Sequence, residues 1–441
     1  MISRRDFIHR SVTAGVASVL LPQLNLRGYS HAPQFDIEQI TDGAKQHWMG
    51  YYDKQQIDPT GRYAVGNQVD PFFRSPTVKD TLNIGLIDLE NGNSWTEIGS
   101  STAWGWQQGC MLQWIPGSNE EVIWNDHDRG QGFLSKIYNI RTQQTRTLPK
   151  AIYTLSPDGS FALCVDMDRL QFFRPGYGYP TKRSKRFEKA PTTKGIYKMD
   201  LKTGRSELIL SYAEIARLPG FPADISKNYH WFNHLLVNPS ATRFIFLNRF
   251  RPKASYDEMS AFLEANPSWR KPGFSSHHMT RAITANVDGS DVYALNDSGT
   301  FSHFIWKGDD MITAWATTEK SRKAAFYEFP DKTKEFTMLD NEAMRVNGHN
   351  TYVPHTDNEW ILNDTYPDPN DRKQTLYLYH VPTKKKVVLG RFHEPEIFTG
   401  EWRCDLHPRC DQQGNRVFFD STHSGGTRQM YSVDIEKIVR G

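Results

Sequence analysis

The sequence is short of cysteine, of long apolar segments and of net charge, and each shortage excludes a class of protein. Its 441 residues include four cysteines, Cys110, Cys164, Cys404 and Cys410, whose spacing forms neither a disulfide framework nor a Cys-x-x-Cys zinc motif. The mean hydropathy is −0.63, and the longest apolar stretch is too short to span a bilayer as a helix. The net charge of +3, without a basic block, argues against a nucleic-acid-binding protein. We expect neither a nucleic-acid partner nor a stable membrane anchor.

Aromatic residues, in contrast, are abundant. They make up 13% of the chain and include 12 tryptophans and 19 tyrosines. Such rings either fill the gaps between packed sheets or form platforms on which sugar rings stack. For any single ring we favour the packing role.

The N-terminus carries an export pattern. Arg4 and Arg5 are followed by Phe7-Ile8 and then by a modest apolar run over residues 11–21, which is typical of a twin-arginine signal. An amphipathic N-terminal helix is the alternative. We predict a signal over residues 1–32, one domain over residues 33–441, and a periplasmic or secreted protein. No cysteine follows the apolar run, which argues against a lipid anchor.

Two patterns repeat seven times along the chain at intervals of mostly about 40–60 residues. The first is an apolar strand, found at 84–88, 137–140, 196–200, 283–287, 325–329, 376–379 and 430–434. The second is a Pro-, Gly- or Asp-containing turn, found at 58–61, 115–118, 156–159, 238–241, 307–310, 353–356 and 411–414. Short strands repeated at this spacing predict an all-β fold, a seven-bladed β-propeller. In each blade we predict an innermost strand before the turn and an outer strand that closes the blade.

Two insertions interrupt the repeat. Residues 255–265 read as a capped helix within an insertion at about 252–280. Residues 174–180, followed by a basic stretch, form either a solvated loop or a loop that covers substrate, and we include Tyr177 among the candidate substrate-binding residues. Insertions in repeat proteins often lie on the binding face.

Aligning the innermost strands on their turns reveals a column of histidines. Four residues before each turn stand, in chain order, Lys54, Met111, Ile152, His234, His303, His349 and His407. Equivalent positions of a propeller converge at its axis, so four of the chain's fifteen histidines meet there. Converging neutral imidazoles suit a divalent transition metal, with His234, His349 and His407 as candidate ligands. One imidazole could instead act as a general base.

The last strand carries additional candidates. Strand alternation places Cys404 on one face and Asp405 with His407 on the other, so Cys404 can share a metal with His407 only across a bulge, whereas Asp405 needs none. Arg251 and Arg409 are candidate binders of a substrate carboxylate. His127, at the end of a strand in the second blade, is a second candidate base.

The order His303, Gly348-His349 and Cys404-x-x-His407-x-Arg409 within a seven-bladed chain resembles the propeller polysaccharide lyases. Oligogalacturonate lyase is the nearest in pattern, and propeller ulvan lyases are related in architecture. The resemblance implies that His303 is the base and that His349 and His407 bind manganese. Cys404 stands where that family has a glutamine, and Arg409 where it has its last histidine. These departures favour zinc over manganese if Cys404 binds, and would allow Arg409 to neutralise a carboxylate directly.

These features together predict an exported, metal-assisted lyase that cleaves uronate-containing glycans by β-elimination. Its partner would be an acidic oligo- or polysaccharide, and we expect a monomer. A propeller glycoside hydrolase is the rival enzyme, because Asp126, Asp128, Asp166 and Asp168 offer carboxylates at loop ends. A non-catalytic periplasmic binding or scaffold propeller is the third possibility, but it would not need four axial histidines.

Overall fold

Each repeat of the sequence folds into one four-stranded antiparallel sheet. The computed structural model describes residues 35–181, 187–219, 224–265, 278–297, 300–321 and 323–441. Within them the strands form seven such sheets in a ring, which is a seven-bladed β-propeller. The predicted twin-arginine signal lies outside the described residues.

The strands follow one another from the axis outwards in each blade, after an initial strand β1 (Ile37–Gln39). Blade 1 contains β2 (Gln46–Trp48), β3 (Tyr63–Val69), β4 (Leu82–Asp88) and β5 (Ser94–Ser101). Blade 2 contains β6 (Gln113–Trp114), β7 (Glu121–Asp128), β8 (Gly132–Asn139) and β9 (Thr145–Leu148). Blade 3 contains β10 (Thr154–Leu155), β11 (Phe161–Cys164), β12 (Gly195–Asp200) and β13 (Ser206–Ser211). Blade 4 contains β14 (Tyr229–Val237), β15 (Arg243–Arg251), β16 (Met279–Asn286) and β17 (Tyr293–Asn296). Blade 5 contains β18 (Phe301–Lys307), β19 (Met311–Ala316), β20 (Ala325–Pro330) and β21 (Thr337–Met338). Blade 6 contains β22 (Thr351–Tyr352), β23 (Trp360–Asn363), β24 (Lys373–His380) and β25 (Lys385–His393). Blade 7 contains β26 (Arg409–Cys410), β27 (Arg416–Ser421) and β28 (Gln429–Asp434), and β1 is its fourth strand.

The predicted turns do connect the innermost strand to the second strand, but the predicted closing strands are the third strands of their sheets. The true outer strands were missed because they are polar and partly exposed. In β5, with the sequence SWTEIGSS, only the last residue is buried, whereas eight of the nine residues of β15 are buried. A strand that covers one sheet edge and faces water gives a weak apolar pattern.

The ring closes when β1 pairs with the last strand. Ile37 lies opposite Val433, and Gln39 lies opposite Tyr431. The amide of Ile40 then donates to the carbonyl oxygen of Met430 at 2.8 Å. The two ends of the domain therefore complete one blade, and blade 7 becomes the neighbour of blade 1.

The described helices are short and lie outside the sheets. They are α1 (Met167–Phe173), α2 (Tyr212–Arg217), α3 (Tyr256–Ala265) and α4 (Glu436–Val439). The predicted helix is α3, and its cap is reciprocal: Ser255 Oγ accepts from the Glu258 amide at 3.1 Å, and Glu258 Oε2 accepts from the Ser255 amide at 3.0 Å. Residues 266–277 of that insertion lie outside the described part. None of the described helices has the length and apolarity needed to cross a membrane.

The apolar core lies mainly between neighbouring blades. One cluster between blades 1 and 2 is built around buried indole rings, those of Trp48, Trp104, Trp106, Trp114 and Trp124. These tryptophans therefore have the packing role expected of most aromatic residues here. Because every blade packs on two neighbours, the ring holds the innermost strands at fixed positions around the axis.

Ile40 provides a test of ring closure. It is buried in a cluster that joins Ile57 and Ile87 of blade 1 to Phe418 and Met430 of blade 7. We expect Ile40→Ala to lower the free energy of unfolding by about 2–4 kcal/mol, because it leaves a cavity at this junction. Chemical denaturation measures the change.

The matched control is Ile397→Ala, because the Ile397 side chain is 51% exposed. It should change the free energy by less than about 0.5 kcal/mol. Equal stability of the two variants would contradict the role given to the closing strand.

Candidate functional site

The long connections and the histidine column lie at one end of the ring. In an antiparallel four-stranded blade, the connection from the second to the third strand and the connection to the next blade leave the sheet at the same end. Connections of these two kinds include residues 165–181, 187–194, 252–265, 364–372 and 394–408. They lie at the end of the ring where the chain enters the innermost strands, and we call this end the mouth.

Three histidines of the column share an unusual backbone conformation. His234, His303 and His407 have φ values of 52°, 38° and 43°. Such left-handed values are uncommon for residues other than glycine and often mark functional constraints. The ladders shift register between Asn233 and Leu236 and between Ser302 and Phe304. Bulges therefore set the direction of His234 and His303, which supports the alignment made from the turns.

Three of the four column histidines are neighbours. The ring centroids of His303 and His349 are 4.2 Å apart, and those of His349 and His407 are 4.3 Å apart. His234 instead stacks on Phe304 at 4.0 Å, and its Nε2 atom lies 3.2 Å from the Tyr52 hydroxyl. His234 is thus a partner of Tyr52 in this structure.

His349 is oriented by a carboxylate. Its Nδ1 atom lies 3.1 and 3.0 Å from the two oxygens of Asp364, and its amide donates to Asp364 Oδ1 at 2.6 Å. A β-carbon on Gly348 would lie 1.9 Å from the Asp364 carbonyl oxygen, so glycine permits this close approach. An ionised Asp364 places the proton on Nδ1 and leaves the Nε2 lone pair of His349 available to a metal.

His349, Asp405 and His407 form a group that can hold a cation. One ligand atom from each lies within 4.8 Å of the other two, and all three residues are buried. Among the described residues His407 Nε2 has no hydrogen-bond partner, and it lies 3.9 Å from Asp405 Oδ2. Two imidazole nitrogens and one carboxylate suit zinc or manganese, so the residues fit the metal that the sequence predicted.

Cys404 is not a member of this group. Asp405 occupies the place next to His407, as strand alternation allowed without a bulge. The Cys404 amide donates to Glu394 Oε1 at 2.6 Å, and its carbonyl oxygen accepts from Gln374 at 2.9 Å. Burial raises the pKa of the Cys404 thiol well above its usual range. The proposed preference for zinc through Cys404 therefore loses its basis.

His303 is neutral and held in one orientation. Its Nδ1 atom lies 2.8 Å from Asn347 Oδ1, and its Nε2 atom lies 3.3 Å from the Tyr366 hydroxyl. Burial, and then the neighbouring His349, lower the pKa of His303 well below its usual range. With Nδ1–H donating to Asn347, Nε2 is the nitrogen that can accept a proton.

Two tyrosines that the sequence pattern does not predict, Tyr51 and Tyr52, fill the centre of the mouth. The Tyr51 ring meets the edges of His234, His349 and His407 at 5.3, 5.9 and 5.0 Å. Burial raises the pKa of Tyr51 well above its usual range, so its hydroxyl stays protonated. The pair follows the short strand β2 in blade 1, and only ring closure brings it to blade 7. No periodic signal in the sequence marks it.

The loop at residues 174–181 crosses the mouth from blade 3 towards blade 7. A β-carbon on Gly176 would lie 3.0 Å from Glu401 Cγ, and one on Gly105 would lie 3.1 Å from the Gly176 carbonyl oxygen. The Arg174 guanidinium lies over the Tyr177 ring at 4.1 Å. Burial alone would raise the pKa of Tyr177, but Arg174 and Arg403 together lower it. The loop therefore lies across the mouth, and the substrate-binding role of Tyr177 stays a prediction.

The two predicted carboxylate-binding arginines are engaged elsewhere. All five N–H groups of Arg409 are donated: to the carbonyl oxygens of Gly50, Tyr51 and His407, and to Gln56 Oε1. Arg251 is 1% exposed and donates to the Ala254 carbonyl oxygen at 2.7 Å. Arg409 therefore joins blade 7 to blade 1, and its predicted role at a substrate carboxylate loses its structural basis.

His127 and its acidic neighbours lie in a different place. With Asp126, Asp128 and Lys136, His127 lines a surface cavity of about 450 Å³ whose lining includes none of the column histidines. Asp126 pairs with Lys136 at 2.6 Å, and Asp128 accepts the amides of Gly130 and Gln131. These carboxylates have turn and ion-pair roles, which weakens the case for a hydrolase.

Comparison with solved structures agrees with the fold. No protein-family model matches the sequence, and no curated protein matches it. The chain is similar to an oligogalacturonate lyase in complex with manganese, at 14% identity, a TM-score of 0.62 and coverage of 93% of this chain and 96% of that chain. It is also similar to the oligogalacturonate lyase of Vibrio parahaemolyticus, at 14% identity, a TM-score of 0.59 and coverage of 92% and 95%. A further likeness, to the tricorn protease, has 11% identity, a TM-score of 0.48 and coverage of 90% and 35%.

Asp364 offers a test of the metal group that does not remove a ligand. We expect Asp364→Asn to weaken Mn²⁺ binding about 10–100-fold, because His349 loses the charged partner that fixes its tautomer. Titration followed by the electron paramagnetic resonance of free Mn²⁺ measures the affinity.

Asp371→Asn is the matched control, because Asp371 lies in the same connection, where it pairs with the surface residue Arg391 and accepts the Lys373 amide. It should bind Mn²⁺ like the wild type. Unchanged affinity in Asp364→Asn would contradict the assigned role of the carboxylate.

Proposed function

We propose that this protein is a lyase that cleaves uronate-containing glycans by β-elimination at the mouth of the propeller. The observation that carries the proposal is the position of a buried neutral base, His303, whose ring centroid is 4.2 Å from that of a candidate metal ligand, His349. The similarity in fold to oligogalacturonate lyases supports the same reaction class.

The chemistry requires a base beside a positive charge. The C5 proton of a uronate becomes acidic when the charge of its carboxylate is neutralised. A divalent cation held by His349, Asp405 and His407 would supply this neutralisation when bound. His303 Nε2 then takes the C5 proton, while Asn347 holds the opposite ring nitrogen.

We assign to Tyr51 the role of proton donor for the leaving oxygen. Its ring contacts both candidate metal-binding histidines, and its raised pKa keeps the hydroxyl protonated. The loop that carries Tyr177 narrows the mouth around an extended chain of sugars. These two features favour an oligo- or polysaccharide over a small acid.

We place the reaction in the periplasm or outside the cell. Arg4-Arg5 and the apolar run at residues 11–21 support export through the twin-arginine route. A reporter protein fused after residue 34 that remained in the cytoplasm would refute this part of the proposal.

His303→Ala should lower the rate of β-elimination about 10²–10⁴-fold on the uronate polymer that the wild type cleaves. The reaction is followed by the ultraviolet absorption of the unsaturated uronate product. His380→Ala, a change at the half-buried last residue of the third strand of blade 6, is the control and should leave the rate unchanged. Tyr51→Phe in the same assay tests the proton donor.

New reducing ends without the ultraviolet signal would identify a hydrolase instead. Binding of glycans with neither signal would favour the scaffold. Either result overturns the proposed reaction.

The pH profile follows from the environment of His303. An ordinary histidine has a pKa of about 6.5, and burial beside His349 lowers the pKa of His303. The base must be neutral to act, so we expect kcat/KM to stay high as the pH falls through 6.5 and to drop only at lower pH. An acid limb centred above about pH 6.5 would contradict this assignment.

A further inference from the structure

Arg403 is a half-exposed cation attached directly to the candidate metal group. Its Nε and Nη2 atoms donate to Oδ1 and Oδ2 of Asp405, both at 2.5 Å, and its side chain is 26% exposed. Its guanidinium also lies over the Tyr366 ring at 5.0 Å, and the Tyr366 hydroxyl contacts His303. Arg403 therefore contacts the carboxylate of the metal group directly and the candidate base through Tyr366.

The two oxygens that Arg403 occupies are those that Asp405 would offer to a metal. Asp405 is the sole carboxylate of the group formed with His349 and His407. A divalent cation needs at least one of these oxygens, and it also repels a guanidinium that stays in place. A carboxylate oxygen can accept an N–H group and bind a metal at the same time, but the repulsion between the two cations weakens both contacts, so the metal and Arg403 compete for Asp405.

The backbone around Arg403 is fixed, so any adjustment falls to the side chain. Gln107 donates to the carbonyl oxygens of Glu401 and Arg403 at 2.9 Å each. Arg428 donates to the carbonyl oxygens of Trp402 and Arg403 at 3.0 Å each. The remaining guanidinium nitrogen, Nη1, has only a 3.5 Å contact with the Gly400 carbonyl oxygen.

We propose that, without a metal, Arg403 occupies the oxygens of Asp405 that would bind a divalent cation. When the cation binds, the Arg403 side chain moves and its guanidinium binds the carboxylate of the substrate. Metal binding and recognition of an acidic sugar are then coupled through one side chain. The guanidinium fork suits a carboxylate in either position. The identity of the acidic ligand rests on the proposed function, whereas the competition for Asp405 does not.

Mn²⁺ titration of the full-length protein without substrate tests the competition. We expect Arg403→Gln to bind Mn²⁺ at least tenfold more tightly than the wild type, because Asp405 is no longer occupied. Arg403→Lys keeps the charge but loses the fork, so its affinity should lie between the two. Equal or weaker Mn²⁺ binding by Arg403→Gln would overturn the proposal, and thermal unfolding shows that the variant is folded.

The chain contains a closely matched control. Arg62 donates through Nε and Nη2 to the two oxygens of Asp88 and lies over the Tyr63 ring at 4.9 Å. The contacts have the same form but lie in blade 1, at the turn between β2 and β3, away from the mouth. Arg62→Gln should bind Mn²⁺ with the wild-type affinity, and a gain equal to that of Arg403→Gln would attribute the effect to net charge and overturn the proposal.

Glucuronate binding with and without Mn²⁺ tests the transfer, with glucose as the uncharged comparison. In the wild type, saturating Mn²⁺ should raise glucuronate affinity at least fivefold, and glucuronate should raise Mn²⁺ affinity by the same factor. Arg403→Gln should lose this coupling. Glucuronate affinity that is independent of Mn²⁺ in the wild type would overturn the transfer.

The two proposals fail in different experiments. If the protein has lyase activity but the titrations show no competition or coupling, the role proposed for Arg403 is wrong and the proposed reaction stands. If the titrations give the expected results but no elimination product forms, the proposed reaction is wrong and the competition for Asp405 stands.

Discussion

Pairing of β1 with β28 is the constraint on which the site depends. Without it, blade 7 would lack its outer strand and the edge of β28 would be open. With it, Tyr51 of blade 1 reaches His407 of blade 7, and the Arg409 guanidinium ties the two blades together through main-chain carbonyl oxygens. The burial of Ile40 and Met430 at the same junction gives closure its apolar component. A contact between the first and last strands of the domain thus decides whether the axial residues meet.

The centre of the mouth combines two kinds of buried polar group. Burial lowers the pKa of His234, His303 and His407 well below the usual range, so these imidazoles remain neutral. Asp364 orients His349, Asn347 orients His303 and Tyr52 orients His234. Around them lie charges that are compensated in pairs, such as Arg403 with Asp405. A site that separates a neutral base from a compensated acid–cation pair is suited to removing a weakly acidic proton beside a carboxylate. The left-handed backbone at three column histidines is consistent with a constraint of this kind, because it persists only where the surrounding structure enforces it.

The sequence predicted the architecture well and the outer strands poorly. Turn chemistry and apolar runs recur in every blade because the second and third strands are buried on both faces, so seven blades could be counted. The fourth strands, such as β5 and β21, face water and carry no comparable pattern. The axial column could also be derived, since equivalent positions of a repeat converge. The column placed His303, His349 and His407 together. It also included His234, whose Nε2 atom contacts the Tyr52 hydroxyl instead.

What the sequence alone determined is the register, that is, which residues of each repeat face the axis; it left both Cys404 and Asp405 open as partners of His407. What only the tertiary structure decided is which of those residues touch, and what else reaches them. The connections that carry Tyr51, Asp364, Tyr366 and the loop of Tyr177 have no periodicity. Arg409 donates to the carbonyl oxygens of Gly50 and Tyr51, which lie far away in sequence, as well as to that of His407. Such contacts depend on the closed ring and on bulges that turn individual side chains. Local sequence patterns do not encode them, because their energy comes from neighbours that meet only in the folded chain.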